Sequence, residues 1–280
     1  MEKIVLLNKP AGITSFSAVS ACRRILHEKK AGHTGTLDPQ ASGLMIILLG
    51  KSTKLLPYCV HDRKSYHAHF CFGVRTDTED IWGTVIEEKQ PADHSDEQLK
   101  QAMESFIGDS VQIPPMYSAI KVNGKKLYEY ARKGQTIERK PRNIHIYNAE
   151  VHRVNDIEYS MDVTVSSGTY IRTLISDFAA ALNEYGCMIS LVRTAVDGIS
   201  LLQAVDFEHL NEDSCCLDAR VVIDPSIPIV DIDKTEDIMN GRPIHLEHTA
   251  PIVILKHDDQ LLAAYAKTDD DMYHCQRGLF

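Results

Sequence analysis

Apolar and polar positions follow two periods along this chain, and the changes of period mark its elements. Residues 4–7 form an unbroken apolar run, which predicts a short buried strand. Thr14 or Ser15 follows as a helix cap, with Phe16, Val19, Cys22, Ile25 and Leu26 as the apolar face behind it. The pattern breaks across residues 28–43, sixteen residues that include glycines and a proline, long enough to predict a functional loop. Residues 44–49 are again continuously apolar and predict a second buried strand. Tyr66, Ala68, Phe70 and Phe72 alternate with His67, His69 and Cys71, the period of a strand. Ser95-Asp96-Glu97-Gln98 has the form of a capping box, with Leu99, Met103, Phe106 and Ile107 as the buried stripe and Gly108 as the stop. A short helix is predicted from Leu127 to Gly134. Tyr159, Met161, Val163 and Val165 alternate with polar residues, as in a strand with one wet face. Gly168-Thr169 then turns the chain into a helix with Ile171, Leu174, Ile175, Phe178, Ala179 and Leu182 on one face, and residues 189–192 return as a short strand. Residues 220–230, with Pro225 and Pro228, read as a linker. Residues 252–255 and 261–265 read as a hairpin about Asp258-Asp259. Long strands mixed with isolated helices, without a βαβ rhythm, place the chain in the α+β class.

Composition narrows the setting. At 280 residues and 44% apolar content, the chain can bury one large domain and a small one. No apolar run reaches the roughly 18 residues of a membrane span. The first run stops at Asn8 without the features of a signal peptide, so a cytoplasmic protein without membrane contact is expected. Seven cysteines with no C-x-x-C pair argue against a disulfide framework or a zinc knuckle. His67 and His69 share a strand face at a spacing that can bind zinc, yet no third ligand stands at a recognisable spacing, and no metal is expected.

The net charge of −9 has the wrong sign for a nucleic-acid binder until it is resolved along the chain. Residues 1–60 hold eight Lys/Arg against three Asp/Glu, whereas residues 201–280 hold six against sixteen. Residues 119–143 hold eight basic side chains, among them Lys121, Lys125, Lys126, Arg132 and Lys133, against two acidic ones. On charge alone that segment is either a solvated loop or a surface for phosphate.

The candidate chemistry lies in the stretch 28–43. Alone, Asp38-Pro39 is open between a turn and a catalytic carboxylate. The run Gly32-His33-Thr34-Gly35-Thr36-Leu37-Asp38-Pro39-Gln40-Ala41-Ser42-Gly43 closely resembles the motif of the TruB-type tRNA pseudouridine synthases, whose aspartate is catalytic. Leu7-Asn8-Lys9-Pro10-Ala11-Gly12, Lys64-Ser65-Tyr66, Phe72-Gly73 and Thr76-Asp77-Thr78 resemble further motifs of that family. So do Pro114-Pro115-Met116-Tyr117-Ser118-Ala119-Ile120-Lys121 and Gly168-Thr169-Tyr170-Ile171-Arg172-Thr173-Leu174. Leu191-Val192-Arg193-Thr194 is similar to the last motif, with Val192 where an arginine is common. The resemblance runs in the family's order over roughly residues 4–200.

What the resemblance implies is specific. It implies a mixed, largely antiparallel sheet core of the pseudouridine synthase type with flanking helices over residues 1–226. A basic RNA-clamping insertion would lie at about 112–142, and a small β-rich PUA-like domain over 227–280. The implied enzyme is a tRNA pseudouridine(55) synthase, an isomerase acting on the T loop. The reaction breaks the N-glycosidic bond, rotates the base and joins C5 to the ribose C1′. It involves no redox change and no phosphate transfer, so no cofactor is expected. An ionised carboxylate can serve as the nucleophile, toward C1′ or C6, and Asp38 takes that position. Arg172 is implied as its charged partner. Tyr66 would stack on the flipped base, which offsets the few kcal/mol of unstacking. Tyr170 is implied near C5, as a base or a positioning group. His33 would contact RNA beside the flipped base, and Leu191 would line the uracil pocket. Lys121, Lys125, Lys126, Arg132 and Lys133 would hold the RNA backbone. The expected partner is the T stem-loop of tRNA, bound by a monomer with no obligatory protein partner. Residues 231–280 hold five basic and ten acidic residues, a charge that opposes RNA contact there. Two other readings stay open: a guide-RNA-dependent synthase, and an RNA chaperone that folds tRNA without essential catalysis.

Overall fold

The computed structural model describes residues 3–60, 62–214, 218–268 and 272–280. The chain divides into two units: Met1–Pro39 with Gly43–His61 and Leu201–Phe280, and Gln40–Ser42 with Asp62–Ser200.

In the first unit Lys3–Lys9 pairs antiparallel with Ser42–Leu49, Lys3 opposite Leu49 and Lys9 opposite Gly43. Residues 4–7 and 44–49 of these strands are continuously apolar because both faces are covered, and Ile4, Val5, Leu7, Leu44 and Met45 are fully buried. Each such side chain contributes roughly 1.5–3 kcal/mol. Val205–Asp206 joins Lys3–Lys9 in parallel, so the pairing is mixed. Ala31–His33 pairs with Ile47 to Leu49, which places a short strand inside the stretch expected to be one loop. The helix Ser15–Ile25 is capped by Thr14, whose hydroxyl accepts the Ser17 N–H at 3.0 Å. It buries Ala18, Val19, Ala21 and Cys22, but Phe16 is 75% exposed rather than on the apolar face. The helix is turned so that Ser15 faces inward, where its hydroxyl bonds to Leu37.

Residues 229–278 of this unit form a separate five-stranded sheet. Its order is Ile229–Asp231, Ile252–His257, Gln260–Lys267, Met272–Gly278, Ile244–His245. The first pair is parallel and the others antiparallel. This sheet has its own core of Ile238, Val253, Leu255, Leu262, Tyr265 and Tyr273. The buried tyrosines carry their hydroxyls to the Arg242 and Ala250 carbonyls, at 3.0 and 2.6 Å. The expected hairpin turns at Asp258, which has φ +52°. The expected linker 220–230 is part core instead. Val222 and Ile223 are buried, and the Val60 N–H donates to the Val222 carbonyl at 2.8 Å.

The second unit is built on an antiparallel sheet in the order Gly186–Val196, Arg63–Phe72, Glu158–Ser166, Arg142–Arg153, Gly108–Gln112. Alternation places Tyr66, Ala68, Phe70 and Phe72 beside Tyr159, Met161, Val163 and Val165 on one buried face. The helix Ile171–Ala181 covers that face, with Phe178 edge-on to Phe70 at 6.0 Å. A Cβ on Gly186 would lie 2.6 Å from the Ala179 Cβ, so glycine lets helix and strand close up. The strand predicted at 189–192 runs the length of Gly186–Val196 because Ser190 and Arg193 interrupt its apolar pattern without ending its pairing. Helix Asp96–Glu104 has the expected capping box but ends before Gly108. Its buried stripe is therefore Leu99 and Met103, and Ile107 is left exposed.

Candidate active site

Asp38 lies on the surface of the first unit, in a backbone held from beneath. The Leu37 side chain is buried. The Ser15 hydroxyl accepts the Leu37 N–H and donates to the Leu37 carbonyl, both at 2.8 Å. On the other side of Asp38, the Pro39 carbonyl accepts the Gly12 N–H at 2.9 Å. The same carbonyl accepts the Lys9 ammonium at 3.2 Å. Lys9 is fully buried and also donates to the Pro10 and Ile13 carbonyls, each at 2.8 Å. Gly12 has φ +88°, the left-handed conformation that lets residues 10–13 curl around the ammonium. His33 closes the short strand Ala31–His33, and the Thr34 N–H donates to the Ile46 carbonyl at 3.2 Å. Two buried polar side chains thus grip the peptide units on either side of the carboxylate.

The second unit carries the remaining candidates. Tyr66 and Ala68 sit opposite Arg193 and Leu191 in the strand pair Arg63–Phe72 and Gly186–Val196. All four share one face, and all are buried. Arg193 is 1% exposed and hydrogen-bonds Tyr66; burial pushes its pKa below the usual arginine range, while the tyrosine opposes that shift. Lys64, two residues before Tyr66, is buried with its ammonium on the Ser167 hydroxyl at 3.0 Å. Its pKa is pushed down to about 8 by burial, then by Arg193, against the pull of Asp197 and Asp62.

Tyr170 is the N-cap of the helix Ile171–Ala181. Its peptide is clamped by Gln112, which accepts the Tyr170 N–H at 2.8 Å and donates to the Tyr170 carbonyl at 3.1 Å. In the first turn of that helix, the buried Arg172 donates to the Thr78 and Tyr117 carbonyls at 2.7 and 2.9 Å, with Asp80 at 3.8 Å. Arg172 thereby ties the Thr76-Asp77-Thr78 and Pro114–Lys121 motifs to its own helix. Burial raises the pKa of Glu79, opposed by the Thr173 hydroxyl bonded to it at 2.6 Å.

The basic segment is an ordered hairpin followed by a helix. Lys121–Val122 pairs with Lys125–Lys126 across Asn123-Gly124, both at positive φ, and Leu127–Ala131 is helical. Two cations lie over the Tyr128 ring, Lys126 at 5.5 Å and Arg132 at 5.2 Å from its centre. Lys121, Lys125, Arg132 and Lys133 are exposed. His67 and His69 instead face carboxylates across the sheet, Asp162 at 2.8 Å and Glu158 at 3.4 Å. Among the described residues no cluster of three His, Cys, Asp or Glu is arranged to hold a metal ion. No helix among them is long and apolar enough to cross a membrane.

Sequence reasoning gave no individual role to Lys9, Lys64, Arg193 or Gln112. For Lys64 and Arg193 the available signal was a cation inside a motif that already held a candidate, Tyr66 or Leu191; Lys9 ends an apolar strand inside a motif of the resemblance, and Gln112 carried no such signal.

Comparisons with known proteins give the family and the fold. Residues 23–171 match the model of the TruB family pseudouridylate synthase (N terminal domain). A tRNA pseudouridine synthase B of Oceanobacillus iheyensis is 38% identical over 262 residues, 90% of this chain and 86% of that protein. The same-named protein of Mesoplasma florum is 36% identical over 277 residues, 98% of this chain and 97% of that one. That of Oenococcus oeni is 45% identical over 217 residues, 74% of this chain and 72% of that protein. Among solved structures, a Cbf5-Nop10-Gar1 complex gives a TM-score of 0.69 at 21% identity, over 99% of this chain and 85% of that one, a likeness of fold. The fold is that of a pseudouridine synthase. The chain belongs to the TruB family of pseudouridylate synthases.

Proposed function

We propose that this protein converts uridine 55 in the T loop of tRNA to pseudouridine, with Asp38 as the nucleophile. The observation that carries the reading is the Asp38 loop, its flanking peptides fixed by Ser15, Gly12 and Lys9 in a chain of this family. Nucleophilic catalysis on a flipped nucleotide needs a carboxylate whose backbone does not wander, since a misplacement of about 1 Å can cost on the order of 100-fold in rate. In this reading the target base leaves its stack and rests on Tyr66, with Leu191 lining the pocket. Asp38 attacks C1′ or C6, Arg172 serves as its charged partner, and Tyr170 stands at C5. His33 touches the RNA beside the flipped base. Lys121, Lys125, Lys126, Arg132 and Lys133 hold phosphates of the T stem. The catalytic domain spans residues 1–226 and a PUA-like module residues 227–280. The enzyme works in the cytoplasm as a monomer, without an obligatory protein partner or cofactor. Relatives named tRNA pseudouridine synthase B, alike over nearly the whole length, favour a stand-alone enzyme over a guide-dependent one.

The test is to incubate purified protein with unmodified tRNA, without guide RNA, and to map pseudouridine before and after. Product at position 55 is expected, and its absence refutes the stand-alone reading. Asp38→Asn should keep tRNA binding and lose turnover; turnover retained in that variant removes Asp38 as the nucleophile.

A further inference from the structure

The positive charge of residues 1–60 is not accounted for by the Asp38 loop. Five of its eight basic residues, Lys3, Lys29, Lys30, Lys51 and Lys54, line one cavity of about 640 Å³ in the first unit. Glu28 is the one carboxylate among the described lining residues, and it pairs with Lys3 at 2.8 Å. Lys54 donates to the main-chain oxygen of Phe280 at 2.7 Å. Lys29, Lys30 and Lys51 are exposed at the cavity.

The backbone builds this cavity. The Gly50 N–H donates to the Lys30 carbonyl at 2.8 Å, which ties the segment bearing Lys29 and Lys30 to the segment bearing Lys51 and Lys54. Gly50 has φ +56°, and a Cβ there would lie 2.8 Å from Glu28 Oε2. The positive φ is what favours glycine there, since the Glu28 carboxylate sits at the end of a flexible side chain. Five lysines and one carboxylate on one cavity give it a net positive charge, which suits a polyanion. Lysine binds phosphate as a point charge and does not read bases. Among the described lining residues only His27 carries a ring, so the cavity offers little for stacking a nucleobase. Those features fit backbone phosphate better than a mononucleotide.

We propose that this cavity takes phosphodiester groups of the tRNA backbone, as an anchoring site additional to the basic hairpin at 121–133. The inference rests on tRNA as the substrate. It also explains how a chain of net charge −9 holds a polyanion, because the cations are gathered in two places while much of the acidity lies in residues 201–280.

The test is a combined Lys29→Gln, Lys30→Gln and Lys51→Gln variant, with the three Lys→Arg replacements as the control that keeps charge. Binding of full-length tRNA is measured from 50 to 300 mM salt, and single-turnover pseudouridine formation at saturating enzyme. The glutamine variant should bind tRNA about ten-fold or more weakly at 0.1 M salt. Its log K against log salt should be shallower by about two, since each lost phosphate contact removes about 0.7–0.9 of slope. Its rate at saturation should match wild type, and the arginine variant should bind as wild type does. An unchanged slope overturns the proposal. So does ATP binding by wild type that disappears in the glutamine variant while tRNA binding stays the same, since the cavity would then take nucleotides. If wild-type protein makes no pseudouridine on tRNA, the proposed function fails; if it does and the slope is unchanged, only the cavity assignment fails.

Discussion

Replacing Lys9 with methionine removes a buried ammonium while keeping a side chain of similar length. In the structure that ammonium donates to the Pro10, Ile13 and Pro39 carbonyls. The Pro39 oxygen keeps the Gly12 N–H at 2.9 Å, so the larger loss falls on Pro10 and Ile13. A buried acceptor deprived of its donor costs about 1–3 kcal/mol, and two cost about 2–6 kcal/mol. Part of this is offset, because a buried cation no longer has to be stripped of water. A net destabilisation of about 2–4 kcal/mol is expected, a large share of a domain's stability. The catalytic consequence is separate. Pro39 follows Asp38 directly, and Lys9 links its carbonyl to the turn at residues 10–13. With that link gone the carboxylate samples more positions, and a ten- to hundred-fold fall in single-turnover rate is expected, by the order of magnitude a misplaced catalytic group costs. Urea unfolding at constant m gives the first quantity, and pseudouridine formation on tRNA at 25 °C, where the variant is still folded, gives the second. An unfolding midpoint and a rate both within error of wild type would refute the anchoring role. A loss of stability with full turnover would confine Lys9 to folding.

Two further outcomes follow from the charges of the second unit. Lys64 has its pKa lowered to about 8 from 10.5, first by burial and then by Arg193. Between those values the unfolded chain holds the proton and the folded one does not, so this group's contribution to stability rises with pH across that window. Unfolding free energies of wild type and Lys64→Met, compared at pH 7.5 and pH 10, should shift in favour of wild type by up to about 3 kcal/mol, and a pH-independent difference would contradict the depressed pKa. Neutralising Lys125, Lys126 and Lys133 should weaken tRNA binding and flatten its salt dependence by up to about two to three in slope; an unchanged slope would show that the hairpin does not touch phosphate.

Much of the fold was legible because apolar alternation survives in the sequence. The strands around Tyr66 and Met161 alternate without a break, and their period alone places them. Arg142–Arg153, the longest strand, was missed because its register shifts between Ile146 and Asn148, so the alternation of Ile144 and Ile146 does not carry on to Ala149. A bulge changes the face of every later side chain, and a fixed period cannot follow it. Phe16 was placed on the wrong side of its helix because helical spacing counts apolar residues and gives no weight to a serine. The orientation is set by the two bonds that the Ser15 hydroxyl makes to Leu37. The reading of Asp38 as a nucleophile rests on its resemblance to known motifs; physical reasoning alone left it open to being a turn.

What composition rules hide is the supporting layer of the site. Lysine and arginine are ordinarily surface residues, and almost never fully buried unless paired. Lys9, Arg172 and Arg193 are all buried. Lys9 and Arg172 put their charge on backbone carbonyls, five bonds between them. A carbonyl offers a cation partial neutralisation without adding a second charged group. A cation that takes carbonyls from two or three segments also fixes those segments relative to one another, as Lys9 does for residues 10–13 and 39 and Arg172 for residues 78 and 117. These arrangements tolerate little substitution, because removing the cation strands several buried acceptors at once. The motifs that carry the resemblance therefore mix two kinds of residue. Asp38 is on the surface, while Lys9 and Ser15 are buried and hold the peptides on either side of it.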